Sequence, residues 1–358
     1  MKSSVKLMQL ACLAGLLAIY CVSAQAQGNH FNTDGNIVIA DQFNNRVIEV
    51  NPKNHKVVWH FGNGSSVAGP HSVVAPNDAE RIGPFTLIAG TGAPAGSENG
   101  CQQQPCQDNR VMLVDPRGHI IWQYGKTGKP GSGPDELNTP VQNTWLPNYD
   151  VLITDQLNER VIEVTLDKQI VWQYGTTGVS GCDANQLNNP NSAELLENGH
   201  ILIADQNNNR VIEVDRKGNI VWSYGSCTGN ELNLAAFASR LDNGNTLITD
   251  SNNNRILEVD SNGNVAFTYY TNTRKGSVSM PLPTRAVRLK NGNTLISDQF
   301  NHQVIEIDSN QNIVFAQGQI AVPGNGFNML NAPYDAKVVG DYTGLTCPFG
   351  NRDHNCGR

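Results

Sequence analysis

The sequence lacks an excess of basic residues. Its 358 residues include 25 lysines and arginines against 32 aspartates and glutamates, which gives a net charge of −7. Loss of Lys2 and Lys6 with an N-terminal leader would take the net charge to −9. Proteins that bind nucleic acid neutralise its phosphates with Lys and Arg side chains. We therefore expect no nucleic-acid partner.

Long apolar runs are also missing, with one exception near the N-terminus. Two lysines precede an apolar stretch over 8–22, and the small-residue sequence SAQAQ follows it. This order is typical of a secretory signal peptide, and the stretch is shorter than the roughly 20 residues that span a bilayer. We expect a signal peptide over 1–26, a secreted or periplasmic protein, and no membrane span.

Cysteine pairs at the spacing of metal ligands are absent. Beyond residue 26 there are six cysteines, with no C-x-x-C pair and no histidine at ligand spacing, so we expect no metal site. An even number of cysteines in an exported chain is typical of disulfides, although six cysteines allow 15 pairings. Their places in the repeat described next favour three pairs: Cys101–Cys106, Cys182–Cys227 and Cys347–Cys356.

Helical periodicity is missing too, and one repeated string takes its place. The string DQNNNRVIEVDRKGNIVWSYG recurs with changes, beginning at Asp41, Asp155, Asp205, Asp250 and Asp298. The first gap is about twice the later spacings of 45 to 50 residues, and a partial copy at 108–125 fills it. A period of about 40–50 residues is typical of propeller blades. The sequence therefore predicts six units.

Each unit divides into four short β-like pieces separated by turn residues. In the fourth unit these pieces are PNSAELL, HILIAD, RVIEVD and NIVWSYG. Four-stranded sheets around an axis are how a propeller protects its strand edges. The first unit lacks an innermost strand, and LNAPYDAKVV at 330–339 matches LNNPNSAELL at 187–196. We predict an all-β, six-bladed β-propeller over 27–346, closed by a C-terminal strand that completes blade one, and a disulfide-closed tail over 347–358.

A large aromatic residue recurs at one offset in the last strand of each unit, and we expect these rings to pack between adjacent sheets. They are Trp59, Trp122, Trp172, Trp222, Phe267 and Phe315.

The string D-x-x-N-N-R, followed by Val or Ile and later by GN, resembles the NHL repeat, the unit of a family of six-bladed propellers. The resemblance covers about 35–345 and recurs in five good copies. Blades of arylsulfotransferase-type propellers are similar. The resemblance implies the fold, but such propellers include peptide-amidating lyases, lactonases and interaction modules. Function therefore has to be argued from a site.

The Asp and Arg of the string, such as Asp205 and Arg210, occur in almost every unit. The offset of five residues spans one hairpin, so the carboxylate can accept turn N–H groups and meet the guanidinium. We expect a structural pair in each blade rather than a ring of carboxylates that binds Ca²⁺.

Positions that differ between units are better candidates for a site. The loops that enter the innermost strands converge at one mouth of the central channel, and the residues we align there are polar and asymmetric. We predict an acid/base and anion-holding set there. The predicted catalytic residues are His71, Arg285 and Asp335, and the predicted binding residues are Gln142, Ser192, Phe237 and Tyr334.

Histidines test two enzymatic alternatives. A zinc lyase of the amidating type needs several histidines around the axis, and only His71 aligns with the mouth. A sulfotransferase needs a nucleophilic histidine with cationic partners, and His71 with Arg285 would be a minimal version. We expect no cofactor.

The largest departure from the repeat is TGAPAGSENGCQQQPCQDN at 91–109, between the second and third strands of blade two. A long loop on a rigid scaffold is a common place for recognition. We favour a secreted, monomeric binding or scaffold protein that recognises a small molecule or a protein through its mouth-side loops. The alternative is an enzyme, of a lyase, hydrolase or sulfotransferase type, that acts on a small substrate at the mouth.

Overall fold

The computed structural model describes residues 30–98 and 100–349. Within these residues there are 24 strands, numbered β1 to β24 in chain order, in six four-stranded antiparallel sheets. The predicted signal peptide over 1–26 lies outside the described residues, as does the predicted tail from 350 onward. Among the helices of the described residues, none has the length and apolar character needed to span a bilayer.

The strands of each blade are given from the innermost to the outermost. Blades one to three are β24 (Pro333–Val338), β1 (Ile37–Asp41), β2 (Arg46–Asn51), β3 (Lys56–Phe61); β4 (Pro76–Ile82), β5 (Phe85–Ala93), β6 (Cys106–Val114), β7 (Ile120–Tyr124); β8 (Pro140–Trp145), β9 (Val151–Asp155), β10 (Arg160–Val164), β11 (Ile170–Tyr174). Blades four to six are β12 (Pro190–Leu195), β13 (Ile201–Asp205), β14 (Arg210–Val214), β15 (Ile220–Gly225); β16 (Ala235–Arg240), β17 (Thr246–Asp250), β18 (Arg255–Val259), β19 (Val265–Tyr270); β20 (Arg285–Arg288), β21 (Thr294–Asp298), β22 (Gln303–Ile307), β23 (Ile313–Gly318). The 3-10 turns are Gln42–Asn44, Gln156–Asn158, Gln206–Asn208, Ser251–Asn253, Thr271–Thr273 and Gln299–Asn301.

The ring closes through the two ends of the described chain. Strand β24 pairs antiparallel with β1, from Ile37 opposite Val338 to Asp41 opposite Pro333. The innermost strands β4, β8, β12, β16, β20 and β24 each contact the next one around the axis. The predicted six-bladed propeller and its closure by a C-terminal strand in blade one are therefore confirmed.

The core lies in the six seams between blades. The second strand of every blade is buried almost throughout, because neighbouring blades cover both of its faces. The apolar residues form six main clusters, and each cluster draws on two adjacent sheets. Burial of one large aliphatic side chain contributes about 1.5–3 kcal/mol, so the seams supply most of the cohesion.

The repeated tryptophans join adjacent blades. The indole N–H of Trp59 donates to the carbonyl of Pro116 at 3.0 Å, and that of Trp122 donates to Leu166 at 2.9 Å. Trp222 reaches Ser261 in blade five in the same way, at 3.2 Å. In each case the acceptor lies in the turn between the third and fourth strands of the next blade. The predicted packing of these rings between sheets is confirmed.

Candidate functional site

The repeated Asp–Arg pair ties the strands of a blade together. In blade four, Asp205 forms an ion pair with Arg210 at 2.7 Å and accepts the backbone N–H of Asn188 at 2.8 Å. Asn188 lies in the loop that enters the innermost strand, so one buried carboxylate joins three parts of the blade. The same ion pair occurs at 2.6–2.8 Å in three further blades. Its role is structural.

Blades two and six build the same contact from other residues. In blade two, Asp108 forms an ion pair with Arg110 and accepts the N–H of Val74 at 2.7 Å. Its carboxylate fills the space left by Gly90, where an added Cβ would lie 2.5 Å from the carboxyl carbon. In blade six, Arg274 from the preceding loop forms an ion pair with Asp298.

Six equivalent residues of the innermost strands form what we call the axial ring. In five blades this residue lies opposite the one that precedes the last residue of the second strand; in blade two, where β5 continues to Ala93, Asp78 lies opposite Ala89. The members of the axial ring are Asp78, Gln142, Ser192, Phe237, Arg285 and Asp335, all of them buried. Five were predicted as site residues; the sixth, Asp78, was missed.

The alignment of His71 with the first residues of the innermost strands was wrong. Strand β4 begins at Pro76, so Pro76, not Pro70, is the equivalent of Pro190 in blade four. His71 lies in an exposed turn of the loop that enters blade two. A signal for the correct alignment is present, because PNDAE at 76–80 matches PNSAE at 190–194. It was overlooked because Gly90 replaces the repeated Asp from which the other units are aligned.

One half of the axial ring is charged. Arg285 lies 2.6 Å from Asp78 and 2.7 Å from Asp335, and Lys337 lies 2.6 Å from Asp78 and 2.9 Å from Asp335. All four side chains are buried. The guanidinium carbon also lies 4.1 Å from the ring centre of Phe237, within the range of a cation–π interaction. Two cations thus neutralise two carboxylates on the axis.

Two more carboxyls lie next to this group, one step further along the innermost strands. Glu194 is well supplied with donors, because it accepts from Gln142 at 2.7 Å and from the N–H and hydroxyl of Thr346 at 2.9 and 2.6 Å. Glu80 accepts the backbone N–H of Trp145 at 3.0 Å. Glu80 is therefore the carboxyl whose ionised form is supported least.

The pKa values of these acids follow from burial and from charge. Burial raises the pKa of Glu80 to about 8, so it holds a proton at neutral pH. Burial also raises the pKa of Asp78, to about 7, although Lys337 lowers it. Burial opposes ionisation of Asp335 as well, but Arg285 and Lys337 outweigh it and lower the pKa of Asp335.

The mouth, where the innermost strands begin, is crossed by a side chain. The hydroxyl of Tyr334 in blade one accepts from the amide of Asn191 at 2.9 Å. These residues lie on opposite blades of the ring. Thr284 donates to the carbonyl of Tyr334 at 2.6 Å, and the amides of Gln42 and Asn77 meet nearby at 2.7 Å. Tyr334, a predicted binding residue, therefore covers the axial ring.

The other end of the axis is crossed by the chain that follows β24. The hydroxyl of Tyr342 donates to the carbonyl of Arg81 in blade two at 2.8 Å. Four residues later, Thr346 donates to Glu194 in blade four. A segment that leaves blade one and touches blade two and then blade four must pass over the ends of the innermost strands. We call residues 341–346 the axial plug.

Two of the predicted disulfides are present, Cys101–Cys106 and Cys182–Cys227. Cys347 is also disulfide-bonded, and its predicted partner Cys356 lies outside the described residues. Cys182 and Cys227 join the loops that leave blades three and four. Disulfides are typical of proteins in oxidising compartments outside the cytosol.

One group of three potential metal ligands occurs among the described residues, formed by Glu98, Cys101 and Cys106. Because the two sulfurs are bonded to each other, this form offers only the carboxylate. The group belongs to the extended hairpin of blade two, where β5 and β6 continue to Ala93 opposite Cys106.

The comparisons with known proteins agree with this architecture. A family model described as outer membrane protein assembly factor BamB matches residues 20–224, more than half of the chain. The crystal structure of a protein of unknown function from Bacteroides caccae has a TM-score of 0.60 and 14% identity, covering 85% of this chain and 98% of that one. A chain of the nidogen/laminin complex has a TM-score of 0.52 and 11% identity, covering 78% of this chain and 92% of that one.

Virginiamycin B lyase from Staphylococcus aureus aligns with a TM-score of 0.47 and 15% identity over 74% of this chain and 76% of that one. At these identities the similar structures show a shared fold alone. No curated protein matches the chain. The resemblance to NHL repeats stays a prediction.

Proposed function

The chain belongs to the family of the outer membrane protein assembly factor BamB, and we propose that it is an exported, monomeric scaffold that binds a protein partner on its mouth side. In this proposal 1–26 is the signal peptide, 27–346 the propeller and 347–358 the tail. One observation carries the proposal: paired side chains fill the axis, and Tyr334 and the axial plug cover its two ends. The loops on the mouth side are then the surface left for recognition. The family description, an assembly factor, is consistent with a scaffold.

A contiguous surface for such a partner lies beside blade one. Glu98 of the blade-two hairpin accepts from Asn45 at 2.7 Å, and Asn44 donates to the carbonyl of Gly324 at 2.8 Å. The hairpin and the loop before β24 are thus anchored on the same turn of blade one. Gly100 of the hairpin also packs against Ser66, in the loop that enters blade two.

Two large apolar residues of these loops face solvent. Val67 is 74% exposed and Phe327 is 71% exposed. A groove of about 480 Å³ lies beside the loop that carries Val67, and it is lined by Gly69, Pro70 and Trp122 among others. Exposed apolar groups next to a groove are typical of protein interfaces, where a few aromatic anchors carry most of the binding energy. We call residues 94–98 and 100–105 of the hairpin, together with Val67 and Phe327, the mouth patch.

Site-specific photocrosslinking in the producing cells tests the proposal. A crosslinker at Gln103, exposed on the hairpin, should give one discrete protein adduct, whereas one at Asn262, exposed on a turn of blade five, should give none. Adducts of equal yield at both positions, or no protein adduct at position 103, would contradict a mouth-side protein partner.

The partner found in this way can then be purified and its affinity measured. The double substitution Val67→Ser with Phe327→Ser should weaken binding by about tenfold or more, because it removes the apolar anchors. The matched control is Val265→Ser, which changes an exposed valine on the outer strand of blade five. Equal affinity of the two variants would argue against the mouth patch.

An enzyme acting at the mouth is the second candidate, because buried acids with raised pKa values, such as Glu80 and Asp78, are typical of catalytic sites. In that case Arg285→Met and Glu80→Gln should abolish turnover and leave partner binding intact. The double substitution in the mouth patch should do the reverse.

A further inference from the structure

The sulfurs of the Cys101–Cys106 disulfide lie in unlike surroundings. Cys101 is 1% exposed and packs in an apolar group with Val74, Ala75 and Ala93. Cys106 is partly exposed at the end of the hairpin. An incoming thiolate therefore has access to Cys106. A thiolate left on Cys101 would be buried among apolar side chains, which is costly.

A carboxyl lies against the buried sulfur. Oε1 of Glu98 is 2.8 Å from Sγ of Cys101. A disulfide sulfur has no proton to donate, so a hydrogen bond between these two atoms requires the proton to be on the carboxyl. Burial raises the pKa of Glu98, which favours the protonated carboxyl. Glu98 is thus placed to give a proton to Cys101.

We propose that Cys101–Cys106 is a thiol–disulfide exchange site for an external dithiol, with Glu98 as the proton donor to Cys101. The thiolate of the dithiol attacks Sγ of Cys106, the S–S bond breaks, and its electron pair leaves on Cys101. Glu98 transfers its proton to that sulfur. The second thiolate of the dithiol then attacks the mixed disulfide and releases Cys106 as a thiolate, which takes a proton from solvent. The protein disulfide is reduced and the dithiol is oxidised.

The second disulfide of the chain serves as an internal control. Cys182 and Cys227 are 45 residues apart, and among the described residues no carboxyl lies in hydrogen-bond contact with their sulfurs. Without a proton donor at the leaving sulfur, its exchange should depend on the external thiolate alone. The proposal therefore distinguishes the two bonds by their pH dependence as well as by their rate. It does not depend on the proposed scaffold function.

The test follows reduction of the full-length protein by dithiothreitol at several pH values, with alkylation and peptide mass spectrometry at each time point. Cys101–Cys106 should be reduced first. Its second-order rate constant, calculated from the concentration of dithiothreitol thiolate, should fall as pH rises through the titration of Glu98, because the carboxyl then has no proton to donate. The rate of Cys182–Cys227 should show no such fall. A flat profile for Cys101–Cys106, or earlier reduction of Cys182–Cys227, would overturn the proposal.

Two further measurements separate proton donation from a structural role of Glu98. Glu98→Gln should slow reduction of Cys101–Cys106 by about tenfold or more and flatten its pH profile, while the Cys182–Cys227 rate stays the same. A slower rate with an unchanged pH profile would mean that Glu98 only holds the hairpin, and would overturn its assigned role. Glutathione, a monothiol, should be trapped on Cys106; trapping on Cys101 would overturn the direction of attack.

Discussion

The axial ring has two halves, and they differ in chemistry although their backbones are equivalent. Blades six, one and two contribute Arg285, Asp335 and Asp78, whereas blades three, four and five contribute Gln142, Ser192 and Phe237. At the same end of the blade, beside the last turn of the second strand, every blade repeats one Asp–Arg contact. The repeated residues therefore determine how each blade folds, whereas the residues that differ between blades at the axis determine how the six innermost strands contact one another.

Removal of a cation from the charged half should have the largest effect. Arg285→Met leaves Asp78 and Asp335 buried with Lys337 as their remaining cation, which should lower the free energy of unfolding by about 3–5 kcal/mol. Ser192→Ala at the equivalent position of the neutral half should cost about 1 kcal/mol. Chemical denaturation of the two variants measures both values. Equal losses would mean that the two halves do not differ energetically.

The repeated contact should respond alike wherever it is broken. Asp155→Ala and Asp205→Ala each leave a buried arginine without its carboxylate and should each lower the free energy of unfolding by about 3 kcal/mol. The expected similarity of the two values contrasts with the unequal values at the axis. Denaturant titrations that differ by more than about 1 kcal/mol between these blades would show that the repeat is not energetically uniform.

The charged half should also make stability depend on pH. The pKa of Glu80 is about 8 in the folded chain, above its ordinary value, so the folded state binds more protons than the unfolded state between these values. Glu80 should therefore make stability fall by about 3 kcal/mol as pH rises from about 5.5 to 8.5, and Asp78, whose pKa is about 7, should add a smaller fall of the same sign. Glu80→Gln should remove the share of the fall that comes from Glu80, which thermal unfolding at each pH would show. A fall of the same size in the variant would assign the effect to another group.

The smallest effect is expected at the outer edge of the seams. Trp222→Phe keeps the ring but removes the N–H bond to Ser261, and it should cost about 1 kcal/mol. Blade five already has Phe267 at this position, so the variant gives the seam between blades four and five the same residue type as the seam between blades five and six. We expect the melting temperature to fall by a few degrees, and a variant that fails to fold would contradict this prediction.

Local patterns in the sequence were enough to predict the blade count, the closure by β24 and most of the axial ring. These patterns repeat in every unit, so a well-matching copy shows how a poorly matching copy should be aligned. Asp78 was missed because blade two has Gly90 where the other units carry the repeated Asp, so the reference residue for the alignment was absent. The ion pair of Arg274 with Asp298 could not be predicted, because this arginine comes from the preceding loop and not from the repeated offset of five residues. The contact of Thr346 with Glu194 could not be predicted either, because only the folded ring brings these residues together.

The pairing of β24 with β1 has a consequence for how the chain is made. A ribosome delivers β1 to β3 first, and their innermost neighbour arrives nearly 300 residues later. Until then the first sheet carries an open inner edge, so the ring can only be sealed when synthesis is almost complete. A chain cut short before Pro333 would keep that edge and be exposed to pairing with other chains.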